Sequence, residues 1–150
     1  MHNIKQVSEN KNYKAVNIGC LDHLAEHKLV HPISKQVIEG KAFLKDVTEA
    51  TGTEISFNVL PPTAELSYFH IHDQNEETYI ILKGEGDFQV DDDCFPISEG
   101  SIIRVAPKGI RGMRNTSQNP MLYIVIQSKE NSLQQYSTGD GIRVEHTKKW

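Results

Sequence analysis

From about Lys41 to Ser128 the chain alternates inward- and outward-type residues with period two, and turn formers break the rhythm at short intervals. Ala42, Leu44 and Asp46 alternate with Phe43, Lys45 and Val47, and the rhythm resumes in Glu54–Leu60 and Leu66–His72. Thr51-Gly52, Pro61-Pro62 and Asp73-Gln74-Asn75 bound these stretches. Further on, Thr78–Leu82, Asp87–Val90, Cys94–Ile97, Ser101–Ala106 and Met121–Gln127 repeat the pattern. Asp91-Asp92-Asp93 is placed to turn a hairpin, and Gly84-Glu85-Gly86 to bend the chain between strands. Short alternating runs bounded by turn residues read as strands. Eight or so of them, with no helix-length segment between, make an all-β sandwich or barrel.

The flanks are less patterned. Residues 1–40 read as a short helical or irregular extension, with Leu21, Leu24 and Leu29 on an amphipathic turn or two that ends at His31-Pro32. After Ser128 the composition turns polar, and one more short strand is expected around Ile142–Glu145. The 150 residues are expected to form one domain, with a barrel core at about 41–128 and a tail at 129–150. A chain of this length can bury roughly 70% of its unfolded surface, so it needs no disulfide to hold a core.

Charge and composition narrow the function. Lys and Arg number 16 against 20 Asp and Glu, a formal net charge of −4, with no basic run of the kind nucleic-acid binders carry. No apolar run approaches a membrane span, and the N-terminus lacks the apolar stretch of a secretory signal. Cys20 and Cys94 are far apart and form no C-x-x-C pair, which suits two free thiols in a reducing compartment. The expectation is a cytoplasmic protein with no nucleic-acid or membrane partner.

Chemistry concentrates in His70-Ile71-His72-Asp73-Gln74-Asn75-Glu76-Glu77. Two histidines two apart on a strand leave the same face, with Cα atoms roughly 6.6 Å apart. After a turn, Glu77 shares a face with Tyr79 and Ile81, and an antiparallel return brings its carboxylate beside the rings. Two His and one carboxylate with open positions is a donor set for Fe(II) and related metals. An H-x-H pair alone is more often an ordinary strand feature; the context after it is what raises the metal reading. His23, His27 and His31 share a four-residue spacing, but Pro32 interrupts the helix they would need.

That context resembles the cupins. Their first motif is H-x-H, three or four residues, Glu, six residues, Gly, and His70, His72, Glu77 and Gly84 fit it. The second, G-x(5)-P-x-G-x(2)-H-x(3)-N, is met at its ends by Gly100 and Asn115, with Pro107 and Gly109 one position late. Arg111 stands where the family has a histidine ligand. The resemblance implies a double-stranded β-helix (jelly-roll) barrel, a site in the barrel mouth, and a homodimer. It also implies a divalent transition metal (Fe, Mn, Ni or Zn) held by His70, His72 and Glu77.

Arg111 leaves two arrangements open. Guanidinium has no lone pair for a cation, and at about 4 Å from a dication it costs roughly 8 kcal/mol before compensation at an effective dielectric of 20. Either it swings aside from a three-ligand metal site and clamps an anionic group, or it pairs with Glu77 inside a metal-free barrel. The functional expectation is a metal-dependent enzyme on a small anionic metabolite, with Arg111 orienting substrate and Tyr68 and Tyr79 lining the pocket. The alternative is a non-catalytic binding or sensing protein that captures an anion through Arg111.

Overall fold

The period-two stretches condense into two facing antiparallel sheets in the structure, a computed structural model that describes residues 4–30, 35 and 37–150. In chain order the strands are β1 (Lys5–Asn10), β2 (Tyr13–Asn17), β3 (Lys28–Val30), β4 (Val37–Glu39), β5 (Lys41–Phe43) and β6 (Glu54–Leu60). They continue with β7 (Asn75–Lys83), β8 (Glu85–Val90), β9 (Asp93–Ser98), β10 (Ile102–Val105), β11 (Arg111–Asn115) and β12 (Met121–Lys129). One sheet has the order β10-β7-β12-β6-β5 and the other β11-β8-β9. Tyr79, Ile81, Tyr123 and Val125 of the first meet Phe88, Ile97 and Met113 of the second in one core. This is the expected all-β double-stranded β-helix.

Register puts the inward residues of the larger sheet in rows. Phe43 pairs Ser56, Ser56 pairs Val125, and Val125 pairs Tyr79. One row along, Glu54 pairs Gln127 and Gln127 pairs Glu77. On the other side, Lys41 pairs Asn58 and Asn58 pairs Tyr123. Since side chains alternate faces, these three rows share one face of the sheet.

Several expectations need correcting. Part of the N-terminal extension is strand rather than helix: β1 and β2 form a hairpin, and the helical piece is a single 3₁₀ segment, Leu21–Glu26. The alternation at Leu44–Val47 is helical, because the Glu54 carboxylate accepts the Leu44 and Lys45 N–H groups and caps the turn α1 (Lys45–Thr48). Ile142–Glu145 forms no strand; Ile142 and Val144 are exposed and meet no partner strand among the described residues. Strand β11 escapes the alternation rule because its inward positions include Arg111 and Asn115, both fully enclosed. His31 and Pro32 lie outside the described residues. His23 pairs with Glu26 while His27 turns inward to the Ile18 carbonyl, so these two rings do not converge.

The turns behave as their residues require. Asp91 adopts φ 53° in the β8–β9 hairpin, a region aspartate tolerates, and its carboxylate accepts the Ile110 N–H. Gly84 has φ 99°, and a Cβ there would lie 3.0 Å from the Met121 Cα. Both the backbone angle and the approach of β12 demand glycine at that step.

Candidate metal centre

The segment expected as a strand, Leu66–His72, does not join a ladder and bends at Ser67 and Tyr68. It touches β11 at two points, Glu65 opposite Arg114 and His70 opposite Arg111. Five steps along this segment match three along β11, so Ser67, Tyr68 and Phe69 bulge out between the contacts. The Phe69 ring fills the space over Gly112, where a Cβ would lie 2.8 Å from ring carbon Cε1. The bulge ends at paired hydrogen bonds between the His70 and Arg111 backbones, and the His72 N–H is then held by the Pro107 carbonyl at 2.8 Å. Pinned on both sides, the His70 and His72 rings meet edge to face with centroids 5.3 Å apart.

Glu77 faces them from β7. Its Oε1 lies 3.1 Å from His72 Nε2, and its Oε2 lies 3.6 Å from His70 Nε2 and accepts the Tyr79 hydroxyl at 2.7 Å. Burial by itself pushes the Glu77 carboxyl up. The contacts of His70 and Tyr79 and the charges of His72 and Arg111 outweigh it and hold the group at about 2. The carboxylate is therefore ionised at any physiological pH. Tyr79 is driven the opposite way, by burial first and then by the Glu77 charge, so it stays a neutral donor.

Arg111 completes the enclosure. Its side chain is wholly buried, and Nε lies 3.3 Å from Glu77 Oε2 in an ion pair without hydrogen-bond alignment. Its other nitrogens donate to the carbonyls of Pro107, His70 and Ala106 at 3.2, 3.4 and 3.3 Å. Arg111 pairs with Glu77, as in the second arrangement, but the pairing is made to Oε2 and leaves Oε1 beside His72, so it does not by itself make the barrel metal-free. It sits behind the carboxylate and does not line the cavity, so it has no access to a ligand there.

That cavity, about 320 Å³, lies between the larger sheet and the 66–72 segment. His70, His72, Glu77, Tyr79 and Tyr68 all line it, as expected from the sequence. Tyr68 does so from the rim: it is 69% exposed and stands edge-on to His70 at 5.8 Å. Lys41, Glu54, Tyr123 and Gln127 also line it and were not expected. Gln127 and Tyr123 share the inward parity of β12, a signal present in the sequence. The Gln127 amide reaches the His72 ring, 3.4 Å from Nδ1 and 3.3 Å from Nε2. A larger recess of about 500 Å³, lined by Leu21, Val59, Gly84 and Leu122 among others, contains no histidine or cysteine.

The donors fit a metal ion. One ligand atom from each of His70, His72 and Glu77 can be chosen so that all lie within 4.8 Å of one another. Two ligands bound to one ion at about 2.1 Å, at tetrahedral to octahedral angles, stand about 3.0–3.4 Å apart. The His72 Nε2–Glu77 Oε1 separation of 3.1 Å falls in that range and the His70 Nε2–Glu77 Oε2 separation of 3.6 Å lies just above it; the one-atom-each set, spread over up to 4.8 Å, would draw together around an ion. The set of two imidazoles and one ionised carboxylate suits first-row divalent metals.

Comparison with known proteins places the fold in a family. Residues 57–127 match the cupin domain family. A cupin protein from Bacteroides fragilis is 36% identical over 70% of this chain and 89% of its own, and its crystal structure superposes with a TM-score of 0.67. The chain belongs to the cupin superfamily. More distant cupin-fold structures include a predicted oxalate decarboxylase from Thermotoga maritima, at 22% identity, coverage of 69% and 90%, and a TM-score of 0.56. Another is a sugar phosphate isomerase from Silicibacter pomeroyi, at 16% identity, coverage of 73% and 64%, and a TM-score of 0.54. At these identities they share the fold alone with this cupin. No curated protein matches the sequence significantly.

Proposed function

We propose that this cupin is a metal-dependent enzyme acting on a small anionic molecule, with Fe, Mn, Ni or Zn held by His70, His72 and Glu77. The observation that carries this is the convergence of three donors on one point of a solvent-connected cavity. A metal there would supply Lewis acidity at the cavity wall. The chain's own groups do the rest. His70 and Tyr79, with the charges of His72 and Arg111 behind them, hold the Glu77 carboxylate ionised and oriented, and the Gln127 amide stands against the His72 ring. The hydroxyl of Tyr79 is committed to Glu77, so it positions rather than donates to a ligand. Tyr68 at the rim and Tyr123 and Val125 on the sheet give the cavity its apolar walls.

The alternative, a non-catalytic barrel that captures an anion through Arg111, draws no support from that enclosed side chain. The fold hosts different reactions, so the reaction has to be found from the site. A cytoplasmic location is the companion proposal: both cysteines are exposed and unpaired, and no described helix is long and apolar enough to cross a membrane. Homodimeric assembly with a small-molecule partner completes the reading.

The test is metal content after reconstitution with each of the four metals, by elemental analysis of wild type, His70→Ala and His72→Ala. Wild type should approach one ion per chain with at least one of them, and each variant should lose most of it while keeping its strand circular dichroism. A wild-type protein that retains none of the four would overturn the proposal.

A further inference from the structure

With Arg111 enclosed, the positive charge that faces the cavity is elsewhere. Lys41 lies on β5 at the edge of the larger sheet, in the inward row with Asn58 and Tyr123, and its side chain lines the cavity. Its ammonium sits over the Phe43 ring, 4.6 Å from the centroid, which turns it along the wall instead of out to solvent.

The nearby carboxylates are engaged by other groups. Glu54 is held by the N–H groups of Leu44 and Lys45, and Glu77 by the histidines, Tyr79 and Arg111. No carboxylate among the described residues forms an ion pair with Lys41. Burial draws its pKa below the ordinary value, with Glu77 and Glu54 opposing from longer range. A half-buried cation that has an aromatic ring but no carboxylate for a partner is a ready site for an anion in a cavity, because a ligand carboxylate replaces hydration that burial has already removed.

We propose that Lys41 is the anion-anchoring residue of this cavity, binding a carboxylate whose other end reaches the His70–His72–Glu77 centre. The assignment rests on the metal reading for that second contact. Lys41 and Glu77 are three strands apart across the sheet and four residues apart along it, since the Lys41 row meets β7 at Ile81, and both side chains reach into the one cavity. The ligand is therefore an extended molecule with a carboxylate at one end and an oxygen donor at the other. Glutarate and succinate have this form; acetate has a single carboxylate and no second donor end. Lysine supplies a point charge, so a carboxylate can be held without the planar register that arginine imposes.

Calorimetric titration of glutarate, succinate and acetate into wild type, Lys41→Met and Lys41→Arg tests this, with metal-loaded and metal-free protein and with glutaramide as the uncharged control. Metal content of each sample is measured first. The expected result is equal metal content, a dissociation constant for glutarate or succinate raised at least tenfold in Lys41→Met and within about threefold of wild type in Lys41→Arg. Glutaramide should bind wild type and Lys41→Met alike. Equal dicarboxylate affinity in metal-loaded wild type and Lys41→Met, or no dicarboxylate binding to wild type, overturns the Lys41 assignment and leaves the metal reading standing. Wild type that takes up no metal overturns the metal reading; the tenfold criterion on metal-free protein then decides for or against Lys41 alone.

Discussion

Glu77 receives contacts from His70, His72, Tyr79 and Arg111, and its ionisation is the hinge of the site. Its pKa of about 2, against an ordinary 4.5, ties stability to pH. A depressed folded pKa stabilises the protein above the unfolded value, and that contribution is lost as pH falls from about 4.5 toward 2. The difference corresponds to about 3 kcal/mol. Urea midpoints of the metal-free protein should fall across this window, and Glu77→Gln should flatten the fall; parallel profiles would refute the assignment. Arg111→Met removes one partner of a buried pair and should destabilise by about 3–5 kcal/mol, because Glu77 keeps its charge without its counter-ion. Gln127→Leu should leave stability nearly unchanged and weaken metal binding 10- to 100-fold, as loss of a group that orients a ligand ring does. Competition with a chelator reads that change directly.

Asn115 and the 66–72 segment decide how the elements hold the site. Asn115 is buried, donates to the carbonyls of Leu60, Pro61 and Asn119, and accepts from the Ser117 N–H and hydroxyl. It ties the end of β6 to the β11–β12 turn, which is the physical work of an asparagine at the close of the second cupin motif. Asn115→Ala should cost about 2–4 kcal/mol in urea unfolding, since several carbonyls lose a buried donor at once. Within the segment, the amides of Leu66, His70 and His72 are bonded while none is found for Ser67, Tyr68 or Phe69. Hydrogen exchange should be fast at those three and slow at His70 and His72. The triad was legible in the sequence because strand parity survives the bulge, and Glu77, Tyr79 and Ile81 keep one face of β7. Strand β11 was not, because hydrophobic alternation fails where Arg111 and Asn115 are satisfied by ion pair and carbonyls rather than by apolar contact. Lys41 was hidden for another reason: it reaches the cavity only through the register of β5 on β6.

At the scale of the molecule, the larger sheet ends at β10 and β5 and the smaller at β9 and β11, of which β11 is covered by the 66–72 segment, and Ile102 on β10 is 69% exposed. Open edges with exposed apolar residues favour pairing between copies. Light scattering should give a particle of twice 17.0 kDa, and a 17.0 kDa particle at high concentration would count against the dimer. Whatever the assembly, the function proposed for the cavity requires that His70, His72 and Glu77 hold a metal ion. Anomalous diffraction from crystals of the reconstituted protein, collected at the absorption edge of the bound metal, tests it most directly. One strong peak is expected among His70 Nε2, His72 Nε2 and the Glu77 carboxylate. A fully loaded protein with its peak elsewhere, or no peak with the His72–Glu77 contact intact, would contradict it.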